Sequence, residues 1–238
     1  MLPLRDNIPS RSIPLVNWAL IGLNTLVFIY QVGLKPFALH NFVNAYGLIP
    51  ARLGPLHPST WIPLITAVFL HGGWFHLISN MWVLFIFGDN IEDRMGHSRY
   101  LGFYLLGGIL ANILEAMILP KSLVPAIGAS GAIAAVLGGY FLLFPRARVV
   151  TIIPLFLYPW IVEIYAFIYL GFWFISQLYS GLQSLSMPGG ASMGGIAWWA
   201  HIGGFIFGML TVHLFTRHPE NELYFNRQWP PDHRPPRA

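Results

Sequence analysis

The sequence predicts an all-α polytopic membrane protein, a bundle of six transmembrane helices. Three observations predict it. Of 238 residues, 55% are hydrophobic and only 9% charged, whereas a soluble domain has about a quarter of its residues charged. The apolar residues gather into runs of about 20, the length that crosses a hydrocarbon core as a helix. The Lys and Arg residues between these runs fall unevenly on alternate loops, as the retention of positive charge on the cytoplasmic side demands. Secreted, cytosolic and disordered classes are excluded. The net charge is +4, but the basic residues stand singly between apolar runs, so no nucleic-acid surface is expected. Cysteine is absent, which removes disulfides, thiolate metal sites and a cysteine nucleophile.

Residues 1–14, with Arg5, Arg11 and three prolines, read as a cytoplasmic N-terminal segment. Leu15 to Val32 is the first span, because it is too long for a signal-peptide core and lacks a small-x-small cleavage pattern. Five further spans follow: Ile62 to Gly88, Tyr100 to Leu119, Ala126 to Phe144, Trp160 to Tyr179, and Ala197 to Phe215. The run from Val149 to Tyr179 exceeds one upright span and contains Pro154 and Pro159, so its first third is expected to be a loop or an interfacial segment. Residues 15–216 thus form one six-helix domain. Residues 217–238, rich in Pro, Arg and Asn, have the composition of a disordered cytoplasmic tail.

With the N-terminus inside, ten Lys and Arg residues lie inside against Lys35, Arg52 and Lys121 outside. Both termini are then cytoplasmic, and the expected location is a bacterial cell membrane. The outer face carries the long first loop (Gly33 to Trp61), a loop around Lys121, and a loop from Gln183 to Ile196. Its stretch SMPGGASMGG has the composition of a lid, so Met187 to Gly195 and the fifth span are candidate moving parts.

Polar side chains inside spans are costly and therefore suggest function. His76 and Asn80 are four residues apart and share one helical face, with His71 five residues before His76. Ser130 follows Gly128 at the outer start of the fourth span, where free N–H groups and the helix dipole favour negative charge. His201 opens the sixth span from the same side. On that span His201, Gly204 and Gly208 share a face, and the GxxxG pair permits close approach of a neighbouring backbone. Ser130, Ala134 and Gly138, flanked by Gly131 and Ala135, offer the matching stripe. A histidine beside a serine supplies a general base, and His76 with Asn80 could donate hydrogen bonds to an oxyanion. A metal site is not expected: HExxH is absent, and the spacing of His71 and His76 does not put both imidazoles on one face. A solute channel would need polar groups through both faces, whereas these cluster at the outer ends. A binding protein without catalysis would lack the serine or the histidine.

These segments resemble the rhomboid intramembrane serine proteases: HGGWFHLISN at 71–80, GASG at 128–131 and AHIGGFIFG at 200–208. Ile91 to Gly96 is similar to the family's acidic-x-Arg-x-Gly stretch, and Tyr46 to Pro50 to part of its first loop. The resemblance implies that Ser130 is the nucleophile, His201 the base, and His76 and Asn80 oxyanion stabilisers beside the Ser130 amide, with Gly128 shaping the turn. It implies a peptide bond in or near a substrate transmembrane helix as the target, and transmembrane proteins in the lipid bilayer as partners. No cofactor is implied, and the oligomeric state stays open. The family's aromatic four residues after the serine is here Ala134, so another residue must pack beneath His201. Seven of the nine acidic residues fall in cytoplasmic segments. Only Glu115 and Glu163 remain, and of these only Glu115 has a suitable depth, so a Ser–His dyad without a carboxylate is expected.

Overall fold

The computed structural model describes residues 1–54, 56–155, 158–186 and 196–217. The expected lid at 187–195 and the tail from 218 onward lie outside the described residues. Among them are eight α-helices: α1 (Leu15–Gly33), α2 (Pro36–Tyr46), α3 (Pro63–Thr66), α4 (Trp74–Met95), α5 (His97–Ile118), α6 (Ser130–Leu143), α7 (Ala166–Ser186) and α8 (Trp198–Phe215). The protein is a helical membrane bundle, as the hydropathy requires. Three helices (α1, α5 and α8) are each long and apolar enough to cross a membrane, and α6 is a shorter apolar helix. The arginines at 94, 99 and 217 gather at one end of the bundle, where Arg217 N donates to the Arg94 carbonyl and Arg99 to that of Thr216.

Two expected spans are corrected. The stretch from Ile62 to Gly88 is not one straight helix: residues 58–69 and α4 meet at an angle of 80°. Leu70 is extended, and His71-Gly72-Gly73 has no helical bonding to carry the turn across, so α4 starts only at Trp74. The fifth helix begins at Ala166 rather than Trp160, because residues before it form a hairpin. Its strands β2 (Arg148–Leu155) and β3 (Tyr158–Tyr165) pair antiparallel, and β1 (Leu2–Asp6) joins β2, giving the order β1-β2-β3. The loop expected after Val149 is therefore a strand pair, and residues 1–14 contribute its third strand. The β-branched residues of Val-Val-Thr-Ile-Ile favour a strand, and Pro154 faces Pro159 next to the hairpin's tip, with β3 on the sheet's edge where proline is tolerated. β1 lies along α4: Asn90 Nδ2 donates to Asp6 at 3.0 Å and Trp82 Nε1 to the Pro3 carbonyl at 2.6 Å.

The core runs between α5, α6 and α8, where small residues bring backbones together. A Cβ on Gly204 would lie 3.1 Å from the Ala134 Cβ and collide with the Gly131 carbonyl oxygen. One on Gly208 would lie 2.8 Å from the Ala135 carbonyl carbon, and one on Gly138 2.9 Å from that of Phe205. Gly131 in turn faces the Ala111 Cβ at 2.8 Å on the same measure. Dispersion across a bare backbone surface thus replaces the hydrophobic effect, which lipid does not supply between helices.

Two helix starts are held by carboxylates from other helices. Neither Pro14 nor Ala197 can cap with its side chain. Instead Val16 N and Asn17 N donate to Glu92 at 3.0 and 2.8 Å, and Ala200 N donates to Glu115 at 2.9 Å. A negative charge at these N-termini is favourable by both hydrogen bonding and the helix dipole. His97 Nδ1 also meets Glu92 at 2.5 Å, and Asp93 accepts Arg11 N at 2.6 Å and Ser12 N at 3.0 Å. The acidic pair Glu92-Asp93 therefore ties the chain entering α1 to the junction of α4 and α5.

The small-residue contact makes a direct prediction. Gly208→Val should cost about 3 kcal/mol through overpacking, read as a lowered unfolding temperature in detergent. An unchanged temperature would contradict the close approach of α6 and α8.

Candidate active site

Ser130 is the first residue of α6, preceded by a turn through Gly128 and Ala129. Gly128 has φ +131°, and a Cβ there would stand 2.7 Å from His76 Nε2. A side chain at 128 is excluded by backbone conformation and by space. The segment is anchored from the first loop. Leu48 and Ala126 exchange both backbone hydrogen bonds, at 3.1 and 2.7 Å, and Gly128 N donates to the Ala67 carbonyl at 2.9 Å.

Across the α6–α8 contact, the Ser130 hydroxyl lies 2.7 Å from His201 Nε2. His201 is 9% exposed. Its other ring nitrogen, Nδ1, lies 2.8 Å from Gln177 Oε1 on α7. The imidazole also packs against Trp173, at 5.9 Å between centroids and 33° between planes, and edge-on to Trp198 at 6.1 Å. These two tryptophans occupy the role left open by Ala134.

His76 is the third residue of α4, with its ring against Gly128. Gly72 N donates to His76 Nδ1 at 3.3 Å, which leaves Nε2 to carry the proton in the neutral ring and directs that donor toward the Gly128–Ser130 turn. Asn80, 7% exposed, donates one amide hydrogen to the His76 carbonyl at 2.9 Å. Its second amide hydrogen remains for a ligand. His71 touches neither Ser130 nor His201 through any hydrogen bond; it packs edge-on against His76 at 5.0 Å and against Phe28 at 6.4 Å. Gly131, Gly204 and Gly208 act through the helix contact described above.

The two spare acids separate clearly. Glu163 lies on β3 and pairs with Arg148 at 3.0 Å, both side chains half exposed. Glu115 is buried and its oxygen is spent on the first turn of α8, so neither carboxylate is a hydrogen-bond partner of His201. No group of three or more potential metal ligands occurs among the described residues.

Sequence reasoning missed two sets of residues. Gln177 is one. The other is a stripe on α1: Asn17, Asn24 and Gln31 are all buried, at 0%, 0% and 2% exposure. Asn17 bonds the Leu84 carbonyl at 3.1 Å and receives Tyr100 OH at 2.8 Å. The Gln31 amide holds the backbone of His71 from both sides, at 3.0 and 3.2 Å, and so fixes the turn from which His76 follows. Their seven-residue spacing in an apolar run was the available signal.

Fold and site together define a polytopic helical membrane protein with a serine–imidazole pair between two closely packed helices. The rhomboid domain family model matches residues 58–218, and the chain belongs to the rhomboid family, which is of intramembrane-protease type. It is 28% identical over 207 residues to the rhomboid-like protein 11, chloroplastic, of Arabidopsis thaliana, covering 84% of this chain and 68% of that protein. It is 43% identical over 75 residues to the Arabidopsis RHOMBOID-like protein 6, mitochondrial, covering 32% of this chain and 24% of the relative. With rhomboid protein 1, mitochondrial, of Saccharomyces cerevisiae it shares 31% over 148 residues, 60% of this chain and 39% of that protein. The chain thus spans well under half the length of the two mitochondrial relatives. These organellar names give no support to the expected bacterial cell membrane.

The position of Glu115 predicts its mutant. Glu115→Gln keeps an acceptor for Ala200 N and loses only the charge facing the α8 N-terminus, so it should lower stability by no more than about 1 kcal/mol and leave turnover within about tenfold. A loss of about 10⁴, the scale of a triad acid, measured with the fold intact, would make Glu115 part of the catalytic group.

Proposed function

We propose that this chain is an intramembrane serine endopeptidase that cleaves peptide bonds in or near transmembrane helices by a Ser130–His201 dyad. The observation that carries the reading is the 2.7 Å contact between Ser130 Oγ and His201 Nε2 at the start of a helix. The serine hydroxyl attacks the scissile carbonyl carbon while its proton passes to His201 Nε2. The negative charge that develops on the carbonyl oxygen meets the Ser130 amide, the Nε2–H of His76 and the free amide hydrogen of Asn80, all carried on elements fixed before the substrate arrives. His201 then returns the proton to the leaving amine, and a water activated by the same imidazole releases the acyl group from Ser130.

Serving a membrane substrate needs water and a local break in a helix. Partly exposed His76 and Ser130, with Asn80 beside them, form a polar cluster at the end of the bundle opposite the arginines, which supports a water-filled cavity opening to the outer face. Helical substrate backbone is fully hydrogen-bonded, so a Gly or Pro near the cleaved bond should favour its unwinding. In this reading both ends of residues 15–216 face the arginine-rich, cytoplasmic side, and metal and cofactors take no part.

Two substitutions test it on a model transmembrane substrate. Ser130→Ala should abolish cleavage and fluorophosphonate labelling with an unchanged unfolding temperature, and cleavage at the normal rate would refute the serine mechanism. Asn80→Ala should slow turnover by about 10² to 10³, as loss of one oxyanion donor does, with substrate binding little changed. An equal loss in binding would assign Asn80 a structural role instead.

A further inference from the structure

We infer that Gln177 is the positioning residue of this site: its amide oxygen selects the tautomer of His201 that can accept the serine proton, in the place where a carboxylate stands in a Ser-His-Asp triad. The inference rests on the serine-protease reading above and adds to it a third side chain, from a third helix.

The orientation of the Gln177 amide follows from its neighbours. Its Nε2 reaches the Trp173 carbonyl at 3.3 Å and Ser176 Oγ at 2.9 Å. A carbonyl can only accept, so the nitrogen belongs on that side. Ser176 agrees, because its own hydroxyl hydrogen is directed to the same Trp173 carbonyl at 2.5 Å, leaving a lone pair for the amide. Gln177 Oε1 therefore faces His201 Nδ1 at 2.8 Å. An amide oxygen has no hydrogen to give, so Nδ1 must carry the proton. In a neutral imidazole Nε2 is then the bare acceptor, and it is Nε2 that lies 2.7 Å from Ser130 Oγ. The chain of donors thus runs from serine hydroxyl to Nε2 and from Nδ1 to glutamine.

Without Gln177 the opposite tautomer, with the proton on Nε2, would compete and face the serine with a donor. Burial sharpens the choice. Gln177 is 7% exposed, so no bulk water substitutes for its oxygen, and an unpaired Nδ1–H there would be costly. Trp173, one turn before Gln177 on α7, lies over the same imidazole. One face of α7 therefore sets both the plane and the proton of His201, while Ser130 and His201 come from α6 and α8. A displacement of α7 would remove both restraints together, so the competent base exists only when α7 is docked.

An amide differs from a carboxylate in one measurable respect. It accepts the Nδ1 hydrogen but adds no charge to stabilise the imidazolium that forms when Ser130 is deprotonated. Replacing it by glutamate at constant shape should therefore change the pH dependence and not merely the rate.

The full chain in lipid nanodiscs would be treated with a fluorophosphonate probe across pH, separating the maximal labelling rate at Ser130 from probe affinity. Gln177→Leu should lower the maximal rate about tenfold, the worth of one buried hydrogen bond, with affinity unchanged. Gln177→Glu should restore the rate and move the acidic limb of the profile to higher pH. Nitrogen NMR of ¹⁵N-histidine protein, assigned with His201→Ala, should show the proton on Nδ1 in the wild type and lose that preference in Gln177→Leu. Full labelling by Gln177→Leu, an unshifted profile in Gln177→Glu, or a wild-type ring protonated on Nε2 would each overturn the positioning role. Failure of the wild type to label at Ser130 would overturn the protease reading instead, and the NMR tautomer, which needs no activity, tests Gln177 even then.

Discussion

The distance between the α6 and α8 backbones is the constraint on which the site depends. Ser130 and His201 are short-reach groups on different helices, and a serine hydroxyl extends only two bonds from its Cα. They meet at 2.7 Å because Gly204 and Gly208 sit against the Gly131 and Ala135 carbonyls, and Gly138 against that of Phe205. A single methyl at any of these crossings would push the helices apart by more than a hydrogen bond can stretch. The glycines therefore set the distance between Ser130 and His201.

Acidic residues in this protein stabilise helix ends. Glu115 and Glu92 each enter the first turn of a helix whose own cap position is apolar, Ala197 for α8 and Pro14 for α1. In lipid, where water cannot satisfy the first N–H groups, a carboxylate brought by a neighbouring helix does so and couples the two helices. Glu115 lies on α5 and grips α8 a residue before His201. It thereby fixes the height of the imidazole while leaving its hydrogen bonds to Ser130 and Gln177.

Around His201, side chains from three helices meet: Ser130 of α6, Gln177 and Trp173 of α7, and Trp198 of α8 itself. The ring's plane is set by aromatic contact and its proton by an amide. On the opposite side Gln31 of α1 holds the His71 backbone, and the turn that follows leads into α4 and His76. The His201 ring and the turn before His76 are thus each held by an amide side chain from another helix.

Local apolarity in the sequence was enough for the membrane class and for the approximate place of the six main apolar helices, because insertion into lipid depends on it and it can be counted along a chain; α2, inside the expected first loop, was not legible that way. The sequence also singled out Ser130, His201, His76 and Asn80, since a polar group in an apolar run is costly wherever it lies. It misplaced residues 148–165, because hydropathy measures burial in lipid and cannot tell a strand of Val and Ile from a helix of them. Which polar groups become partners was set by helix packing. Glu115 and Gln177 both appear in the sequence simply as polar residues in apolar spans. Which of them reaches His201 depends on helix rotation and on the few ångströms by which α7 and α5 approach α8. Those quantities arise from packing across the whole bundle, and no local stretch of sequence encodes them.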